Sequence, residues 1–377
     1  MRNVTYFCFI AVIAWISTGC NHKSSGKPET IWKLSQVDYP EIPESGVVRL
    51  DKTDFPIGEI RSIKQIPLNI MIENRELIMF IKGDYILIKH LEMRKGACLL
   101  HVVSLPDYKV VAKLAPFGEG PDDFYDIRLI PTEEEDKLCY IREINKGRIF
   151  YLTSSLELKE YGKLVDIPDF LYSGDSRGSL YIGNDTLLTS QGGNNGKGIC
   201  KVNLKDSTVR GIIPFHFIEG ANSFFYLGDM AHSFQKKRGA FAFTYNDRLA
   251  FFDFDGEDIK LIQFGNKDMK AKSMPEILNS GNNTIYRYDC FGNDNYVYAI
   301  YRESANDLDK SQSGYLEQFD WNGKPVARYL LPEGHGFYSG YTTDNDSVIY
   351  LIDYYEDNFL HKVVLKQVQN RSKTGTK

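Results

Sequence analysis

Between about residue 46 and residue 366 the chain alternates short apolar runs with polar turns, and no long stretch carries the 3.6-residue period of an amphipathic helix. That patterning predicts an all-β protein. Five segments repeat one form, a strand of alternating polarity, a tight polar turn and a second strand: LLHVVSLPDYKVVAKL, RIFYLTSSLELKEYGKL, GICKVNLKDSTVRGIIPF, RLAFFDFDGEDIKLIQF and YLEQFDWNGKPVARYLL. Their turns centre on Asp107, Ser155, Asp206, Gly256 and Gly323, at spacings of 48, 51, 50 and 67 residues. DG at 255–256 and NG at 322–323 are hairpin signals, because both central residues can take the positive φ that follows strand twist. The longer last interval contains AKSMPEILNSGNN (271–283), read as a loop insertion with room for a helical turn or two.

Two further strand-like runs precede each hairpin, as in MIENRELIMFIKGDYILIKH before the first and NTIYRYDCFGNDNYVYAIYRE before the fifth. Four short strands in a unit of about fifty residues describe a propeller blade. Residues 60–366 hold six such units, but the sixth, GFYSGYTTDNDSVIYLIDYYEDNFLHKVVL, supplies only three strands. An open sheet edge invites aggregation, so something must pair it. The unassigned runs GVVRLD (46–51) and GEIRSIKQIPL (58–68) lie upstream, and one of them is expected to close the ring. The fold class is therefore all-β: a six-bladed β-propeller with four-stranded blades, closed by an N-terminal strand.

A second repeat marks the blade junctions. Glu119-Gly120 precedes Phe124, Glu219-Gly220 precedes Phe224, Phe225 and Tyr226, and Glu333-Gly334 precedes Phe337 and Tyr338, at spacings of 100 and 114. Each falls after the outer strand of one blade, and the aromatic residues are expected to wedge between blades.

The amino terminus reads as an address. Arg2 is followed by an apolar run of eleven residues, Tyr6–Ile16, then Ser17, Thr18, Gly19 and Cys20. The run is shorter than the roughly 20 residues a membrane-spanning helix needs, so it reads as a cleaved secretory signal, residues 1–19. Cysteine directly after Thr-Gly resembles a bacterial lipobox, which makes Cys20 the expected lipidation site, although Ser17 stands where leucine is usual. Residues 20–45, with NHKSSGKPE following Cys20, read as a lipidated N-terminus and flexible tether, 46–366 as the propeller, and 367–377 as a polar disordered tail.

Composition narrows the partners. Forty-five Lys+Arg and fifty Asp+Glu are spread along the chain, and loss of residues 1–19 removes one positive charge, taking net −5 to −6. No basic patch suits nucleic acid, and an acidic body gains nothing from anionic lipid, so membrane contact is expected through the acyl anchor alone. Cys98, Cys139, Cys200 and Cys290 lie 40 to 90 positions apart without CxxC spacing; they read as small buried side chains, with one disulfide as the alternative.

FGEGPDDF (117–124) resembles the junction signature G-x-G-P-x-E-F of the TolB-like six-bladed propeller lipoproteins of Bacteroidetes. Gly118, Gly120, Pro121 and Phe124 match, and Asp123 replaces the glutamate. FDWNGKPVARY (319–329) is similar to a D-x-x-G-K-x-V turn of the same family. The resemblance spans about 45–366 and implies a propeller tethered in the envelope, with no catalytic residues to carry over. Surface-exported lipoproteins of that group carry acids after the cysteine; NHKSSGK has none, which favours the periplasmic face of the outer membrane.

Catalytic motifs fail on context. GDSRG (174–178) matches a nucleophile elbow, but a strand-like run follows Ser176 where a helix is required. QGGNNGKG (191–198) lacks the Walker spacing and reads as a hairpin loop. DFDGED (253–258) opens like a calcium loop, yet the twelfth position is Phe264 and turn chemistry accounts for it better. Seven histidines show no zinc-type spacing; His90 and His101 read as packing residues, and His335, flanked by junction glycines, stands apart. No cofactor or metal is expected. Because the repeat places them at equivalent ring positions, Glu119, Asp122, Asp123, Glu219, Glu333 and His335 are the candidate binding residues over the channel. The expected function is a monomeric, non-catalytic binding or scaffold module for an envelope protein or a glycan; the alternative is a propeller-type lyase or hydrolase acting on sugars or lactones, with a carboxylate or metal site at the central channel.

Overall fold

The computed structural model describes residues 37–366 apart from 69, 71–77, 91–93, 95, 144–147, 162–177, 194–195, 207, 216–222, 266–283, 305–312 and 357. Two strands precede the first blade: β1 (Val47–Leu50) and β2 (Ile57–Pro67). Blade I is β3 (Ile78–Lys82), β4 (Tyr85–Lys89), β5 (Cys98–Ser104) and β6 (Val110–Pro116); blade II is β7 (Ile127–Ile130), β8 (Lys137–Glu143), β9 (Ile149–Thr153) and β10 (Leu158–Glu160). Blade III is β11 (Ser179–Tyr181), β12 (Thr186–Gly193), β13 (Gly196–Asn203) and β14 (Thr208–Pro214); blade IV is β15 (Gly228–Ser233), β16 (Arg238–Phe243), β17 (Arg248–Asp253) and β18 (Ile259–Phe264). Blade V is β19 (Ile285–Gly292), β20 (Tyr296–Ser304), β21 (Tyr315–Asp320) and β22 (Pro325–Leu330). Blade VI contributes β23 (Phe337–Thr342), β24 (Val348–Asp353) and β25 (Phe359–Lys366). All five hairpins of the repeat are the third and fourth strands of their blades.

The missing strand of blade VI is β2, which runs antiparallel to β25 from Glu59↔Lys366 to Pro67↔Phe359. Its first two residues pair in parallel with β22, Ile57↔Arg328 and Gly58↔Tyr329, so one strand joins blades V and VI into an eight-stranded sheet. β1, which the repeat left unassigned, adds in parallel to the outer strand β18, from Val47↔Leu261 to Leu50↔Phe264. Both additions cover edges that would otherwise present unpaired backbone groups.

The expected tether, 20–45, does not hold over its last nine residues. Residues 37–45 lie against the body: the Tyr39 ring covers Gly198 and Gly211, its hydroxyl sits 3.0 Å from Cys200 Sγ, and Ile42 packs against the cluster between blades III and IV. From Tyr39 to Pro67 the chain thus runs as a belt across blades III, IV, V and VI. The correction has a physical cause, because the seat for Tyr39 is made by Gly198 and Gly211 on paired strands far along the chain from it. Residues 1–36, Cys20 among them, the 271–283 insertion and the 367–377 tail lie outside the described residues.

The hairpin turns also differ in detail. In the DG and NG pairs only the glycine takes positive φ, Gly256 at 75° and Gly323 at 77°, while Asp255 and Asn322 do not. Asp320 caps its turn by accepting from the Asn322 and Lys324 N–H groups, and a register shift at Gln318/Phe319 absorbs the extra residue. This is a turn with a bulge at the glycine, the three-residue alternative to the expected two-residue turn.

Six apolar clusters fill the six interfaces between neighbouring blades, the last joining Tyr350, Ile352 and Leu360 of blade VI to Met79, Ile86 and Ile88 of blade I. The junction aromatics are part of them, as expected: Phe124 packs between blades I and II, Phe225 and Tyr226 between III and IV, and Phe337 between V and VI. Burial of such a ring is worth about 2–3 kcal/mol, so the aromatic-rich composition is the adhesive of the ring. The four body cysteines are free thiols; Cys139, Cys200 and Cys290 are buried, and burial pushes the Cys200 thiol up to about 12.

Candidate functional site

The first strand of every blade, β3, β7, β11, β15, β19 and β23, faces the ring centre. Phe80, Leu129, Leu180, Met230, Cys290 and Tyr341, one from each blade, line the lumen there. The space left among them is about 30 Å³, room for one or two waters. The channel is therefore plugged by apolar side chains. His232 on β15 enters the same lumen, where burial and then the charge of Lys82 hold its imidazole down at about 4 and therefore neutral at pH 7.

At one end the plug forms the floor of a wider cup of about 300 Å³, built from the turns that follow the inner strands of blades I, II, IV, V and VI. Its walls carry Glu133, Gln235, Asn293, Asp294, Thr343 and Asp344, with Phe234 and Tyr341 as aromatic surfaces. The turns are locally fixed. Gly83 takes a φ of 57°, Asp294 accepts the Ser233 hydroxyl at 2.6 Å, and the Asn293 amide donates to Thr343 O at 2.9 Å and Asp346 Oδ1 at 3.0 Å. Lys82 donates to the carbonyls of Thr132 and Glu134, both at 2.6 Å, and burial holds its ammonium below the ordinary lysine range. The cup is thus rich in hydrogen-bond acceptors, and its lysine is already engaged.

The residues expected over the channel lie elsewhere. Junction loops precede the inner strands and the cup turns follow them, so the two sets belong to opposite ends of the ring. None of Glu119, Asp122, Asp123, Glu333 or His335 lines the lumen or the cup, and Glu219 lies outside the described residues. Glu119, Asp122 and Glu333 are exposed. Asp123 holds the loop together: its Oδ2 accepts from Gly120 N at 2.9 Å, and a Cβ on Gly118 would stand 2.2 Å from that oxygen. Arg148 then fixes the loop to blade II by donating to Pro121 O and Asp123 O while its Nε pairs with buried Glu143 at 2.7 Å.

His335 is placed differently. Its Nδ1 lies 2.5 Å from Asp353 Oδ2, its ring stacks on Phe337, and its carbonyl accepts from Arg302. His361 and Glu356 complete a group in which one donor atom from each residue lies within 4.8 Å of the others.

Other sequence motifs resolve as structure. The glycine-rich loop is the β12–β13 hairpin, with Gly193 opposite Gly196. In DFDGED, Asp253 accepts from Glu257 N, Asp255 pairs with Lys201 and Asp258 with Arg238. His90 and His101 are buried and hydrogen-bond each other at 2.8 Å. Ser176 lies outside the described residues. The cup has a sequence signal of its own: GD at 83–84, GNDN at 292–295 and DND at 344–346 recur after the first strands of three of its blades.

A closed ring of six blades with a plugged axis and a polar cup at one end defines a six-bladed β-propeller. Residues 77–338 match the family described as TolB-like 6-blade propeller-like, and the chain belongs to that family. A member of the DUF4221 family from Bacteroides vulgatus superposes with a TM-score of 0.56 at 12% identity, over 84% of this chain and 99% of that one. A protein from Bacteroides fragilis provisionally named as exported superposes at 0.54 and 10% identity, over 85% and 99%. At these identities the likeness is one of fold. No curated protein matches the chain.

Proposed function

We infer that the protein is a cell-envelope binding module whose cup takes a polyhydroxylated ligand, a segment of glycan. The observation that carries this reading is the cup: a recess of about 300 Å³, within the usual size of ligand sites, contributed by five blades and closed beneath by the apolar plug. Carboxylates and amides on its walls suit sugar hydroxyls as donors, and Phe234 and Tyr341 offer faces for the C–H side of a pyranose. An anionic ligand would meet Glu133, Asp294 and Asp344 with Lys82 already committed to carbonyls. The envelope assignment rests on the apolar run Tyr6–Ile16 ahead of Cys20, and the export-linked name of the B. fragilis neighbour agrees with it. The periplasmic side is favoured by the absence of acids just after Cys20. Binding of the purified chain to a glycan array tests the reading; saturable retention of a subset of neutral glycans is expected, and retention of none refutes it.

A further inference from the structure

We propose that His335, Asp353, Glu356 and His361 bind a divalent transition-metal ion of the zinc class at the junction end of blade VI, away from the cup. The four come from three parts of the blade: the loop entering β23, the end of β24 with its following turn, and β25. One donor atom from each lies within 4.8 Å of the other three.

The arrangement is built for a ligand. His361 is fully buried, and neither of its ring nitrogens has a hydrogen-bond partner, an unusual state for a buried polar side chain. Its Nε2 stands 3.5 Å from Glu356 Oε2, and two ligands on a tetrahedral ion with bonds of about 2.0–2.2 Å stand roughly 3.3–3.6 Å apart. Asp353, also fully buried, has one oxygen fixed by the N–H groups of Gly336 and Tyr355 at 3.1 and 2.8 Å, which leaves Oδ2 facing His335. Gln65 on β2 donates to Glu356 Oε2 at 2.6 Å, the kind of outer contact that orients a ligating carboxylate. Closing the remaining spread takes about an ångström of side-chain movement. His335 and Glu356, 24% and 40% exposed, can supply it while Asp353 and His361 stay in place.

Charge and donor type select the ion. Two carboxylates carry −2, which a divalent cation balances, and the two imidazoles add nitrogen donors, which ligate in their neutral form. Two nitrogens with two oxygens suit zinc and its neighbours, whereas calcium and magnesium prefer oxygen alone. Bound there, the ion clamps the last junction loop to β25 and, through Gln65, to the strand that closes the ring.

The test is equilibrium dialysis of the untagged chain against Zn²⁺, with thermal unfolding in Zn²⁺, Mg²⁺, Ca²⁺ or chelator. One equivalent of zinc retained, a melting temperature raised by Zn²⁺ and not by Mg²⁺ or Ca²⁺, and affinity lowered at least about tenfold in Glu356→Gln and in His335→Gln support the site. Glu356 is solvent-facing, so Glu356→Gln keeps the metal-free melting temperature and separates lost ligation from lost folding. Absence of a retained equivalent, or variants that bind zinc as the wild type does, overturns it.

Discussion

Gly58 lies directly against the Tyr329 ring: a Cβ built on it would sit 2.3 Å from the ring edge. The contact falls where β2 leaves blade V, in parallel register with β22, and turns to complete blade VI. Ring closure therefore depends on a residue without a side chain.

Gly58→Ala should destabilise the protein by about 1–3 kcal/mol, the usual cost of overpacking a filled site. Chemical denaturation measures it. A change below roughly 0.5 kcal/mol, the range of surface substitutions, would show that the strand seats without this contact.

Asp123 acts as a loop staple, and its replacement should read as stability alone. Asp123→Ala removes the carboxylate that accepts the Gly120 N–H and should cost on the order of 1–2 kcal/mol. Ligand affinity should not change, since the loop is at the end of the ring opposite the cup. A parallel loss of binding would return the junction to the functional site.

Two histidines held below their ordinary range contribute to the acid limb of stability. His101, against His90 and Lys113, and His232, near Lys82, are held at about 4, with burial the leading cause. Unfolded, both protonate near 6.5, so between about 6.5 and 4 the unfolded chain binds more protons than the folded one. Stability is complete above about 6.5 and declines as the pH falls through that window. The His101 share is on the order of 2 kcal/mol. Denaturation midpoints at pH 7.5 and 4.5 should fall accordingly, and His101→Asn should flatten part of the slope; an unchanged midpoint contradicts the assignment.

Cys20 predicts a localisation result. Metabolic labelling with a fatty-acid analogue should mark the wild type, and Cys20→Ser should abolish the label and release the protein into the soluble envelope fraction. Labelling that persists in Cys20→Ser removes the lipobox reading.

The blade repeat was legible because each hairpin carries its own signals, strand alternation and a polar turn, within about fifteen residues. The closing strand followed from the unpaired edge of the last blade. Elements defined only by distant partners were not legible. VVRL is too short to announce that β1 adds to β18, and the seat of Tyr39 needs Gly198 and Gly211 side by side. The same holds for the sites. Each Asn/Asp-rich turn at 83–84, 292–295 and 344–346 is readable as a turn, but only the closed ring gathers them around one mouth. His335 could be singled out by its glycines, whereas its partners follow 18 to 26 residues later on other strands, without ligand spacing.

The most direct test of the cup is calorimetric titration of a glycan that the wild type retains, compared across two double variants. Glu133→Gln with Asp344→Asn alters two exposed cup carboxylates, and Glu119→Gln with Asp122→Asn alters two exposed junction carboxylates. Each charge-assisted hydrogen bond is worth about 1.5–3 kcal/mol, so the cup variant should bind at least about tenfold more weakly, with the junction variant unchanged. Undiminished binding by the cup variant, or loss in the junction variant alone, would place the ligand at the other end of the ring and contradict this account.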